Sequence, residues 1–537
     1  MSQAELRAGE SGREEPPFHV HELLAPAAFS HPVSAARLVE TYISWIVLTG
    51  EFAYKIKKPV RFEFIDASSL ERRRMLCEEE LRLNRRLAPD LYLDVVPITR
   101  DREGLHVAGS GPAVEFAVRM RQFAAADELA NQLGPGGAEP EELARLGALL
   151  AQFHAGAGVA GSDTNYGEYD AVRDQILANL AVLMASLTSA EDLRGLGRLT
   201  DWSHAALAAL EPLIRLRKLS GAVRECHGDL HARNIVRWRG AWTPFDCLEF
   251  EPALRWIDVM SDVAFLFMDL LAHERGDLAY AFLGRYLEQT GDYEGLRVLP
   301  FYAVYRALVR AKVDALAAHT SPPELARGMR ARLADRVNVA LKLTHPQEPT
   351  LVIMHGVAAS GKSLLSERLA PVLAAVRVRS DLERKRLAGV PALAQREFGF
   401  RMGAYDTEST HRTYARLLEC AESALASGIS VIVDATFLDR RRRELFHALA
   451  RQRRSSFLIV SCQTNRATLD ARLAARRQAG ADASEATHTV LEEQLKLLEP
   501  LTALERSHAV EIDTTTEAPL ASTIERIRAA LARASRC

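Results

Sequence analysis

The sequence predicts two folded units in series: an α+β unit that begins with strands and continues as helices, then an α/β unit built on a parallel sheet. Three observations predict it. Residues 43–57 alternate like paired strands, and Ala/Leu-rich helical patterns then run to Leu343. A polar segment with two prolines, 344–350, interrupts the pattern. Beyond it the apolar run Leu351–His355 leads directly into Gly356-Val357-Ala358-Ala359-Ser360-Gly361-Lys362-Ser363 and a helical pattern over 364–373. The expected organisation is a disordered tail (1–31), a first domain (32–343), a linker (344–350) and a second domain (351–537).

Length and composition narrow the function classes. A chain of 537 residues suggests roughly three to four domains by length alone, and two large ones fit as well. Apolar content of 48% and charged content of 26% are ordinary for a globular chain. A net charge of -2 gives no overall field for nucleic acid or for an anionic membrane. The longer apolar stretches are interrupted by charge, as Val259–His273 is by Asp262 and Asp269, so no membrane span is expected. Met1–Pro17 is polar and charged, without the hydrophobic run of a signal peptide, so a cytoplasmic location is expected. None of the six cysteines forms C-x-x-C, which fits reduced, mostly buried thiols. The run Arg440–Arg443 reads as a solvated helix face.

In chain order, Ile43–Leu48 and Phe52–Lys57 read as a hairpin around Thr49-Gly50-Glu51. Alternation puts Lys55 and Lys57 on one face, and either could hold phosphates, with Lys55 the choice. Ser69–Leu87 is a charged helix offering Glu78, Glu79 and Glu80 as partners for that lysine, with Glu80 the choice. Leu91–Ile98 and Glu115–Met120 read as further strands, and Met120–Phe123 as a hinge. Glu141–Leu216 is helical, with His154 read as a packing residue.

The densest chemistry lies at His227–Asp246. Asp229 and Asn234 stand at the spacing H-x-D-x-x-x-x-N, and Asp246 follows the short hairpin Ile235–Phe245. A carboxylate such as Asp229 can deprotonate an acceptor hydroxyl. Asn234 and Asp246 offer the hard oxygens that Mg²⁺ takes. Asp258 and Asp262 read as anchors of this loop or as helix caps.

In the second half, G-x-x-x-x-G-K-S stands in its proper strand–helix context. Gly356 and Gly361 allow a loop whose N–H groups face phosphate, Lys362 adds charge, and the Ser363 hydroxyl can ligate Mg²⁺. Val376–Asp381 reads as a short strand ending in Asp381, which could meet an acceptor hydroxyl or cap a helix, with Arg384 one turn on. The strand Gly428–Val433 delivers Asp434, suited to an Mg²⁺-bound water. Arg466, Arg472, Arg476 and Arg477 lie on a later helical pattern, and such arginines could close over phosphates.

At these residues the first half resembles the aminoglycoside phosphotransferase-like branch of the protein-kinase-like fold, through His227-Gly228-Asp229, Asn234 and Asp246. The resemblance covers roughly 32–343 and implies a two-lobed α+β domain with ATP bound between lobes. Two departures stand: no G-x-G-x-x-G precedes Lys55, and Asp246-Cys247-Leu248 replaces D-F-G. The second half is similar to P-loop NTPase kinases of the zeta-toxin, gluconate-kinase and polynucleotide-kinase type, through the P-loop, Asp381, Asp434 and the late arginines. The pairing resembles bacterial proteins described as bifunctional aminoglycoside phosphotransferase/ATP-binding proteins. The implied activity is transfer of the γ-phosphate of ATP, with Mg²⁺, to a small-molecule hydroxyl. An ATP-sensing regulator and a nucleic-acid end kinase are the alternatives, the latter disfavoured by net charge. The motifs leave the acceptor, ATP against GTP, and the oligomeric state open.

Overall fold

The computed structural model describes residues 19–62, 65–187, 189–345, 348–390, 407–479, 488–516 and 520–534. By packing, the chain divides into two compact units. One holds residues 1–137, 153–171 and 215–262; the other holds 138–152, 172–214 and 263–537.

The first unit is built on a six-stranded antiparallel sheet in the order β1-β2-β3-β8-β6-β7. Its strands are β1 (Arg37–Glu40), β2 (Ser44–Leu48), β3 (Phe52–Lys57), β6 (Tyr92–Arg100), β7 (Leu105–Val107) and β8 (Ala113–Arg121). The two-residue strands β4 (Arg61–Phe62) and β5 (Ile65–Asp66) pair between β3 and the helix Leu70–Asn84. The period of two on β3 separates two cores. Tyr54 and Ile56 join Val47, Val96 and Ile98 on one face. Ala53 joins Cys77, Tyr92 and Val118 on the other, the face that also carries Lys55 and Lys57. Ser69 caps the helix Leu70–Asn84 by accepting from the Arg72 N–H, and Arg73 ties the helix to β8 through Glu115 at 2.7 Å.

Two expectations need correction here. The tail was expected to reach residue 31, but residues 20–24 and 26–28 form 3₁₀ turns whose Val20, Leu23 and Ala28 are buried in the sheet core. The apolar spacing of Val20, Leu23 and Leu24 distinguishes this segment from the charged residues before it. The Arg440–Arg443 run is not wholly solvated. Arg443 is buried, donates to the Phe437 and Leu438 carbonyls at 3.0 Å, and pairs with Glu505 at 2.6 Å.

The rest of the first unit carries β9 (Val223–Glu225) paired with β12 (Trp256–Asp258), and the hairpin β10 (Ile235–Trp238) with β11 (Ala241–Pro244). The second unit holds a five-stranded parallel sheet in the order β14-β15-β13-β16-β17. These are β13 (Thr350–His355), β14 (Ala375–Arg379), β15 (Ser430–Asp434), β16 (Ser456–Gln463) and β17 (Ala509–Asp513). The strands are near-continuous apolar runs because helices cover both faces of a parallel sheet. Val352, Met354 and Val460 pack on one face against Leu365, Leu369 and Ile527 of the helices Lys362–Val372 and Leu520–Ala534.

The polar linker separates the chain in sequence but not in packing. The helix Gly276–Thr290, well before it, packs in the same unit as β14 and the helix Lys362–Val372. Among the described residues no helix is long and apolar enough to cross a membrane. Cys77, Cys226, Cys247, Cys420 and Cys462 are buried free thiols.

Candidate phosphate sites

In the first unit, β3 and the helix Leu70–Asn84 bring the lysines to one carboxylate. Lys55 Nζ donates to Glu80 Oε1 at 2.8 Å and to Asp246 Oδ1 at 2.5 Å. Lys57 Nζ lies 2.5 Å from Glu80 Oε2 and also pairs with Glu249. Glu80 is thus the shared carboxylate, whereas Glu79 pairs with Arg82 and Arg255, and Glu78 with Arg74. Of the two lysines, Lys55 is the one that meets Asp246.

Burial opposes charge on all of these groups, and their partners decide the outcome. For Lys55, Asp246 and Glu80 outweigh burial and hold the ammonium well above its ordinary value. For Glu80, Lys55 and Lys57 outweigh burial and hold the carboxyl below the usual carboxylate range. Burial wins at Glu249, which is raised despite Lys57. A carboxyl depressed in the folded state stabilises the fold above its unfolded value of 4.5, and that contribution is lost as pH falls toward the folded value. Acid unfolding should therefore steepen below pH 4.5 in the wild type, and Glu80→Gln should flatten that limb in denaturant titrations at stepped pH.

The loop after β9 is braced from behind. Asp262 Oδ2 accepts from the His227 N–H at 3.0 Å and Oδ1 from the Gly228 N–H at 2.9 Å. His154 Nε2 sits 3.2 Å from Asp262 Oδ2. Possible metal-ligand atoms of His154, Cys226 and Asp262 lie within 4.8 Å of one another, but both Asp262 oxygens are engaged by the loop backbone. Gly228 has φ +86°, and a Cβ there would meet the Leu254 carbonyl at 2.9 Å, so only glycine fits. The His227 ring reaches the Phe245 carbonyl at 2.9 Å, tying the loop to the strand end that delivers Asp246.

The Asn234 amide nitrogen donates to Asp229 Oδ2 at 3.0 Å and to the Asp229 carbonyl at 3.1 Å. Its carbonyl end is therefore the end suited to a cation. Asp229 and Asp246 keep 31% and 38% of their side chains exposed, so both can reach a ligand. Asp246 holds φ +63°, a sparsely populated conformation for a residue with a Cβ. Its N–H donates to the Tyr92 hydroxyl at 3.2 Å, and the next N–H donates to Asn84 Oδ1 at 2.9 Å. The carboxylate of Asp246 and the amide oxygen of Asn234 are hard oxygens of the kind Mg²⁺ takes. No glycine occurs in the β1–β2 connection, Thr41-Tyr42-Ile43, so the phosphate-covering loop stays unassigned.

In the second unit, β13 ends at His355 and the P-loop wraps into the helix Lys362–Val372. Gly356 has φ +135°, and a Cβ there would meet the Cys462 carbonyl at 2.7 Å. Gly361 forms the helix N-cap at φ +87°. Lys362 Nζ folds back onto its own loop, 2.6 Å from the Val357 carbonyl and 3.4 Å from Ser360 Oγ. Asp434 closes β15, with Oδ2 3.2 Å from Ser366 Oγ. Ser363 and Asp434 again supply a hydroxyl and a carboxylate, oxygen donors that suit Mg²⁺.

Arg472 donates to the Ala359 carbonyl at 3.2 Å and to the Thr514 carbonyl, which places it against the P-loop. The side chain of Arg476 lies outside the described residues, as does Gly480–Glu485. Asp381 does not end a strand or cap a helix as expected. β14 stops at Arg379, which is itself the N-cap, and Asp381 lies inside the first turn of the helix Ser380–Leu387. Sequence reasoning missed Glu249, Ser366, Arg377 and Gln494. Gln494 Oε1 accepts from the P-loop Ala358 N–H at 2.7 Å, taking one of the amides that could face phosphate. A lone glutamine on an amphipathic helix gives no such signal.

The chain joins a unit built on a six-stranded antiparallel sheet to a unit whose five-stranded parallel sheet carries a P-loop. Residues 351–501 match the family model AAA_33, described as an AAA domain. The chain is 31% identical over 464 residues to "Uncharacterized protein Rv2004c" of Mycobacterium tuberculosis (strain ATCC 25618 / H37Rv), covering 85% of this chain and 90% of that protein. "Uncharacterized protein Mb2027c" of Mycobacterium bovis matches with the same figures. The chain belongs to the family of these mycobacterial proteins. Among solved structures, a choline kinase from Cryptosporidium parvum Iowa II overlaps 57% of this chain and 89% of its own, at 10% identity and a TM-score of 0.38. A gluconokinase from Sinorhizobium meliloti 1021 overlaps 35% of this chain and 95% of its own, at 21% identity and a TM-score of 0.26.

Proposed function

We propose that the chain is a cytoplasmic ATP- and Mg²⁺-dependent phosphotransferase with two separate nucleotide sites, each serving a small-molecule hydroxyl acceptor. The observation that carries this reading is the convergence of Lys55, Glu80 and Asp246, in a unit where Asp229 and Asn234 are hydrogen-bonded to each other. In the first site Asp229 takes the proton of the acceptor hydroxyl. The oxygen then bonds to the γ-phosphorus, and the bond to the β-phosphate oxygen breaks to release ADP. Lys55 holds the phosphates, and Glu80 keeps Lys55 charged and aimed. Bound Mg²⁺ would neutralise phosphate charge, held by Asn234 and Asp246. In the second site Gly356, Gly361 and Lys362 cradle the phosphates with Arg472 beside them. Ser363 and Asp434 would hold Mg²⁺, and Asp381 positions the acceptor.

A specific feature favours a second reading for the first half, an ATP sensor without transfer. The β1–β2 connection lacks the glycines that would let a loop cover the phosphates. A transfer screen separates the readings. γ-labelled ATP with Mg²⁺ is offered with aminoglycosides, sugars, polyols, nucleosides and amino alcohols, using wild type, Asp229→Ala and Lys362→Ala. An acceptor lost only in Asp229→Ala belongs to the first site, and one lost only in Lys362→Ala to the second. Binding of ATP with no turnover of any acceptor would contradict the phosphotransferase reading and leave the sensor.

A further inference from the structure

The P-loop sheet carries a buried ion pair that the motifs do not account for. Arg377, in the middle of β14, is 5% exposed, and Glu288, near the end of the helix Gly276–Thr290, is 3% exposed. Arg377 Nε donates to Glu288 Oε1 at 2.7 Å. The other edge of the same guanidinium faces the nucleotide loop. Its Nη1 donates to the Ser363 carbonyl at 3.0 Å and to Ser366 Oγ at 3.4 Å. Ser366 Oγ lies 3.0 Å from the Ser363 carbonyl and 3.2 Å from Asp434 Oδ2. One rigid fork therefore links a helix that precedes the linker to the hydroxyl-bearing end of the P-loop and to the carboxylate of β15.

We propose that Glu288 is a positioning residue of the P-loop site: it anchors Arg377 so that the arginine braces Ser363 and leaves Asp434 for the divalent cation. The proposal rests on the reading of this site as a Mg²⁺–nucleotide site. Glu288 lies outside the residues that match the AAA domain, so that domain draws a supporting residue from the preceding half of the chain.

The physical case is a competition for one buried cation. A guanidinium stays charged, and a buried charge without a partner is costly. Glu288 faces Arg377 directly, with Arg285 at 3.6 Å and Arg379 also within its field. Around Arg377 the other carboxylates are Glu367, at 3.8 Å and half-exposed, and Asp434, one hydroxyl away through Ser366. Without the charge of Glu288, Arg377 turns toward Asp434 and competes with Mg²⁺ there. A second contact holds the same strand. The Tyr293 hydroxyl donates to the Arg377 carbonyl at 2.8 Å, and the segment that carries Tyr293 follows directly from the helix of Glu288.

The test uses the full chain and a fluorescent ATP analogue. Its binding is titrated against Mg²⁺ for wild type, Glu288→Gln, and Glu288→Gln combined with Arg377→Met, with thermal unfolding recorded for each. Lys362→Ala identifies the P-loop component of the signal. Glu288→Gln should raise the Mg²⁺ midpoint of that component about tenfold or more, the range for loss of a residue that supports metal ligands. Binding without Mg²⁺ should hardly change, and excess Mg²⁺ should restore the signal. Adding Arg377→Met should bring the midpoint part of the way back, since the competing cation is gone but its brace on Ser363 goes with it. A folded Glu288→Gln protein with a lowered melting temperature and an unmoved midpoint would overturn the proposal, because the pair would then serve packing alone. Should Glu288→Gln not fold, Tyr293→Phe must shift the midpoint in the same direction by a smaller factor, and no shift there overturns it equally. Wild-type binding with no Lys362-dependent component would contradict the nucleotide-site reading instead.

Discussion

Asp229→Asn is expected to lower kcat for phosphate transfer at the first site roughly a thousandfold, the scale of a lost general base. The KM for ATP should stay near wild type. The substitution keeps the shape of the side chain and an oxygen that can still accept from the Asn234 amide, which lies 3.0 Å from Oδ2. The brace on the loop is untouched, because Asp262 holds the His227 and Gly228 N–H groups. Steady-state transfer to whichever acceptor the screen finds provides the measurement. A fall in ATP affinity with kcat preserved would mean that Asp229 binds and does not act as base.

Lys362→Ala should weaken nucleotide binding at the second site roughly a hundredfold, the equivalent of about 3 kcal/mol for a charge-assisted hydrogen bond to phosphate. Lys362 is 7% exposed and its ammonium donates to the Val357 carbonyl of its own loop at 2.6 Å, so its loss removes a cation already held at the loop. The fold of the loop should survive, because its glycines and the Gly356 N–H bond to the Thr436 carbonyl at 3.1 Å set its path. Isothermal titration of the full chain reads the effect as the loss of one binding component. Unchanged binding would remove the P-loop from the account.

Some of this was legible in the sequence, and the reason is local. The P-loop is contiguous, so its glycines, Lys362 and Ser363 could be placed before any tertiary contact was known. Asp229 and Asn234 are also close in sequence, and their spacing was informative. Strand alternation put Lys55 and Lys57 on one face but could not choose between them. The choice depends on Asp246, whose reach to Lys55 is set by a hairpin and a positive φ. The sequence reading prefers Glu80 among three adjacent glutamates, and docking of the helix on the sheet is what buries it. Glu249 and Glu288 were invisible, because their partners are far away in sequence. Arg377 did leave a trace: a charged residue in a strand covered on both faces calls for a buried partner. Residues 20–28 fall outside a tail because the apolar Val20, Leu23 and Ala28 of the 3₁₀ turns are buried in the sheet core.

The central claim is that one chain carries two independent nucleotide sites. The most direct test is the binding stoichiometry of ATP with Mg²⁺ on the full chain. It compares wild type, Lys55→Met, Lys362→Ala and the double variant. The account predicts two nucleotides per chain in wild type, one in each single variant and none in the double variant. One nucleotide in wild type that survives either single substitution would contradict it.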